Sequence, residues 1–132
     1  MKKSLFLTVF TLTFSCILFG QSTEKNLNFC KQYFRAEGLL QLAIKYKDGS
    51  SSLTFSDEAN KAATRAENAL TEIEASIKGK ISKEELQDLK ASIKFIKDRT
   101  AEGMDESSIT KTVLWLQFAD RKLSKIFPKL MK

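Results

Sequence analysis

Four groups of acids are spaced closely enough to do chemistry: Asp57-Glu58, Glu72 with Glu74, Glu84-Glu85 and Asp105-Glu106. Two carboxylates held together can divide general acid and general base work, or hold a divalent cation. Their positions point elsewhere. Most fall where a helix would begin, and anions in a first helical turn are expected for capping and dipole reasons alone, at about 0.3–1 kcal/mol each. Metal sites in helical bundles use His beside Glu, and the 132-residue chain has no His. The same absence removes Ser-His-Asp catalysis and any His-activated thiolate. Neither common form of Gly-rich phosphate loop is present. The expectation is a non-enzymatic protein without a metal or cofactor, acting on no small-molecule substrate.

The two cysteines stand in different settings. Cys16 lies in an uncharged run from Ser4 to Gly20, preceded by Lys2 and Lys3 and followed by the polar Gln21-Ser22-Thr23-Glu24-Lys25. That is the layout of a bacterial secretory signal. Cleavage near Gly20 and Gln21 would leave a signal over 1–21 and one domain over 22–132. Thr13-Phe14-Ser15-Cys16 also resembles a loose lipobox, which would make Cys16 the lipid-carrying residue of an envelope lipoprotein. The 17 uncharged residues also reach the lower limit for a retained anchor. Export to the periplasm or medium is the expectation. Cys30 then remains alone, at helical spacing from Phe34 among apolar residues, which predicts a buried, unreactive thiol.

The apolar residues from Leu27 onward follow helical periods, with no strand alternation. A first helix over about 25–47 carries Phe29, Tyr33, Ala36, Leu40 and Ala43 on its inner face, widened by Phe34, Leu39 and Ile44. Gly38 leaves room there for a kink or a close helix contact. Asp48-Gly49-Ser50-Ser51-Ser52 reads as a loop, and a second helix is expected from Thr54 or Ser56. Its stripe is Ala59, Ala62, Ala66, Leu70, Ile73 and Ile77, with Gly79 as its stop. Ser82-Lys83-Glu84-Glu85 matches the capping box and starts a third helix bearing Leu86, Leu89, Ile93 and Ile96. That helix should stop around Gly103. Asp105 then caps a last helix carrying Ile109, Val113, Leu116, Leu123 and Phe127, which Pro128 should end. With 42% apolar residues and one Pro, the chain reads as all-α, a small bundle of about four helices around one core.

Charge is unevenly placed. From Ser22 to Ser108, 14 Lys and Arg face 15 Asp and Glu, whereas from Ile109 to Lys132 six basic residues face Asp120 alone. At 100° per residue, Lys111, Lys122, Lys125 and Lys129 fall within about 60° of one another, and Trp115 and Phe118 share their sector. Cations interleaved with rings suit an anionic envelope surface or an acidic protein partner. A helix C-terminus also favours cations without any ligand, and the first helix could cover both rings. Nucleic acid is not expected, because no recognition fold is apparent and export removes the chain from it.

Phe29-Cys30-Lys31-Gln32-Tyr33-Phe34 is similar to the opening of a family of exported immunity proteins, whose members usually carry further cysteines that this chain lacks. The resemblance covers six residues. It implies, as an alternative, a periplasmic protein that neutralises a toxin or hydrolase.

Overall fold

A computed structural model describes residues 10–47, 50–102 and 106–131, with side chains from Glu24 onward apart from those of Ser50 and Glu106. It contains four helices: α1 (Phe10–Lys45), α2 (Ser50–Ile77), α3 (Lys83–Glu102) and α4 (Glu106–Leu130), and no strand among the described residues. Cross-helix contacts fix the topology. Asn60 reaches Lys97 and Thr100, while Lys90 pairs with Glu74, so α2 and α3 are antiparallel. Phe95 meets Trp115 and Asp88 meets Lys122, which makes α3 and α4 antiparallel. Asn26 bonds to Leu130 and Phe29 stacks on Phe127, so α4 returns alongside α1. The result is an up-down-up-down bundle in which α1 touches α3 as well as its neighbours α2 and α4.

Most residues of the stripes read from periodicity form the core, but Phe34, expected to widen the inner face of the first helix, is 53% exposed. Phe29, Tyr33, Ala36 and Leu40 of α1 are buried against Ala59, Ala62, Ala63, Ala66 and Ala69 of α2. Small side chains on α2 bring little apolar area but let the α1 backbone come close, and α1–α2 is the most extensive helix pair. Larger residues take over toward the other end, where Leu70, Ile73 and Ile77 meet the inner face of α3. Cys30 is buried within this core, as its spacing predicts.

Capping explains several boundaries and corrects others. The Ser82 N–H donates to Glu85 Oε1 at 2.9 Å and the Glu85 N–H donates to Ser82 Oγ at 3.0 Å, the reciprocal pair that the motif requires. The second helix begins at Ser50, not at Thr54 or Ser56, so Ser50 to Ser52 are helical. The Ser52 hydroxyl donates to the Ala43 carbonyl at 2.9 Å, satisfying one of the last carbonyls of α1 across a tight connection. The helix runs unbroken through Gly38, and a Cβ there would meet nothing within 4 Å, so it serves no close helix contact. Pro128 does not end α4, which runs on to Leu130. Pro128 is exposed, so the carbonyl one turn back can tilt to water, while buried Leu130 and the 2.8 Å bond from Asn26 Nδ2 to its carbonyl hold the last turn. Asp105 lies outside the described residues.

The backbone of α1 is helical across Gly20 and Gln21, the junction proposed for cleavage, and at Cys16 only the backbone is described. Among the described residues no helix is long and apolar enough to cross a membrane.

Candidate functional site

The sector of α4 singled out by charge divides in two. Trp115 is half-buried, and its indole stacks on the Phe95 ring of α3 with centroids 3.9 Å apart and planes 13° from parallel. The cover is therefore α3, not the first helix. Lys122 Nζ pairs with Asp88 Oδ1 at 3.3 Å, and Lys129 Nζ pairs with Glu85 Oε2 at 2.7 Å. Two of the four predicted lysines thus lie along the α3–α4 seam. Glu85 holds its proton less tightly than an ordinary carboxyl, first because of Lys129 and then because of the Ser82 amide. These partly exposed pairs add little stability, about 0–1 kcal/mol each, but they set where the lysine heads point.

The other side of the sector faces outward. Phe118 is 53% exposed and Leu114 is 62% exposed. At 100° per residue Leu114, Phe118, Arg121 and Lys125 fall within about 60°, with Lys111 at the border. Among the described residues no acidic side chain pairs with Lys111, Arg121 or Lys125. Lys122 lies 5.3 Å from the Phe118 ring and so borders this strip from the seam side. Sequence reasoning therefore placed Phe118, Lys125 and Lys111 on an open face, misplaced Trp115, and missed Leu114 and Arg121. Those two are found when the exposed arc is centred opposite Leu116 and Leu123 rather than on the tryptophan. Val113, read as core, is instead exposed at the border facing away from the seam, and Thr112 takes the buried position.

The paired carboxylates behave as helix and surface groups. Asp57 and Glu58 both pair with Lys61, and Glu74 pairs with Lys90. No cluster of three or more potential metal ligands occurs among the described residues.

A different acid was missed. Glu37 is only 7% exposed, and it meets Asp120 across the α1–α4 interface. Burial, and then the neighbouring Asp120 carboxyl, raise its pKa to about 7. The Tyr33 hydroxyl lies among Ser92, Glu37 and Asp120 without a well-formed hydrogen bond to any of them, and Glu37 Oε2 likewise has no partner. A buried polar group left so costs about 1–3 kcal/mol. Both acids border a groove of about 890 Å³ whose other walls include Leu27, Cys30, Phe34, Leu123, Phe127 and Met131. The signal was present in the register: Glu37 falls four residues after Tyr33 and three before Leu40, on the face those two bury. Burial also raises the Cys30 thiol to about 11, leaving it a poor nucleophile.

No family model, characterised protein or solved structure matches the chain.

Proposed function

We propose that the protein is an exported, non-enzymatic interaction protein of a bacterial envelope or exterior, which docks on an anionic surface through the outer strip of α4. The observation that carries the reading is the exposure of Leu114 and Phe118, one turn apart, beside Arg121 and Lys125 without acidic partners. An apolar pair flanked by cations enters a headgroup region, or an acidic protein patch, with the rings and methyls inserted and the charges at the rim. The near-neutral remainder of the bundle then acts as the scaffold that keeps this strip rigid. Export rests on the residues from Met1 to Gln21, with lipid attachment at Cys16 as the alternative to a soluble exported form.

The test uses vesicles of phosphatidylglycerol and of phosphatidylcholine. Binding to the first in excess of the second, falling as salt rises, is the expected result; equal binding to both contradicts it. Mass spectrometry of the N-terminus from native membranes and medium fixes the compartment, with an unprocessed cytosolic chain contradicting export. Copurification of one stoichiometric hydrolase, without lipid dependence, would replace this reading with that of an inhibitor.

A further inference from the structure

The groove between α1 and α4 is polarised along its length. Leu27 and Met131 lie at one end, Phe34 and Phe127 follow, and Glu37 and Asp120 stand at the other. From Leu27 to Glu37 is ten residues, about 15 Å of helix at 1.5 Å per residue. Leu27, Phe34 and Met131 are three of the exposed large apolar residues of the molecule, and all three border this one groove.

We propose that this groove binds an amphipathic primary amine, its hydrocarbon body along Leu27, Phe34, Phe127 and Met131 and its ammonium between Glu37 and Asp120. Two observations select that chemistry. Glu37 is more than nine-tenths buried, borders the groove, and makes no ion pair among the described residues. The second acid beside it makes a cationic donor the complementary head, and an anionic amphiphile the excluded one. Lys31 borders the same groove but makes no ion pair with either acid among the described residues. The volume is within the range of small-molecule sites, about 300–1,000 Å³. The site is separate from the outer strip of α4 and does not depend on that strip binding anything.

Calorimetric titration of the full chain with octylammonium, octanol and octanoate tests the site, since the three share one hydrocarbon body. Octylammonium is expected to bind at least about tenfold more tightly than octanol, and octanoate more weakly than either. Glu37→Gln, which keeps shape and removes the charge, should abolish most of the amine's advantage. Phe34→Ser, at an exposed position and with folding verified by circular dichroism, should weaken all three ligands. No binding of octylammonium, equal affinity for amine and alcohol, or an amine advantage that survives both Glu37→Gln and Asp120→Asn overturns the proposal. So does a concentration-dependent dimer in sedimentation velocity that Phe34→Ser abolishes, because the groove would then be filled by a second copy.

Discussion

The indole of Trp115 lies flat on the ring of Phe95, with centroids 3.9 Å apart and an interplanar angle of 13°. This contact ties α4 to α3 at a level where α3 contributes no other large ring, and it removes the single tryptophan from the open face of the terminal helix. A double-mutant cycle of Phe95→Ala and Trp115→Ala should therefore return a coupling energy of about 0.5–1.5 kcal/mol in denaturant unfolding. Additive losses would mean that the rings do not meet in solution.

The start of α3 is set by two reciprocal hydrogen bonds between Ser82 and Glu85. Ser82→Ala should lower stability by about 1 kcal/mol, with Ser82→Asp close to wild type because a carboxylate also caps. Measured midpoints in urea check this. Equal losses for both variants would contradict the capping role.

Glu37 gives stability a pH dependence whose sign is fixed by its environment. Its carboxyl is raised from 4.5 to about 7, by burial first and by Asp120 next. The folded chain thus holds this proton more tightly than the unfolded chain, and stability falls as pH rises from about 4.5 to about 7. Asp120 from α4 and Tyr33 from α1 are the titratable groups that reach it, with Ser92 of α3 beside the Tyr33 hydroxyl and Cys30 and Lys31 along the groove. Relative to wild type, Glu37→Gln should gain up to about 3 kcal/mol near pH 8 and close to nothing near pH 4. A difference that does not change with pH would contradict this.

Periodicity and capping chemistry made most of the bundle legible. Phe29, Tyr33, Leu70, Leu89, Ile93 and Ile96 are core because their three- and four-residue steps leave one inward arc, and the Ser82 motif carries its own geometry. What failed depended on neighbours. The helix persists through Pro128 because Asn26, more than a hundred residues away, bonds to the last carbonyl, and Ser50 to Ser52 are helical because Ser52 reaches back to Ala43. Charge along α4 correctly marked an open cationic arc at Phe118 and Lys125. It could not register that Glu85 and Asp88 of α3 would take Lys129 and Lys122, since that pairing follows from which helix lies alongside. Glu37 escaped notice because a single acid within an apolar stripe looks like a surface residue until α4 closes over it.

Charge reversal at two sets of positions tests the docking surface most directly. Arg121→Glu with Lys125→Glu alters the outer strip, whereas Lys122→Glu with Lys129→Glu changes the same total charge along the α3 seam. The account predicts that the first pair abolishes the excess binding to phosphatidylglycerol vesicles, while the second retains most of it once folding is verified by circular dichroism. Equal losses from both pairs would show that only net charge matters, and retention by the first pair would contradict the assignment of the strip.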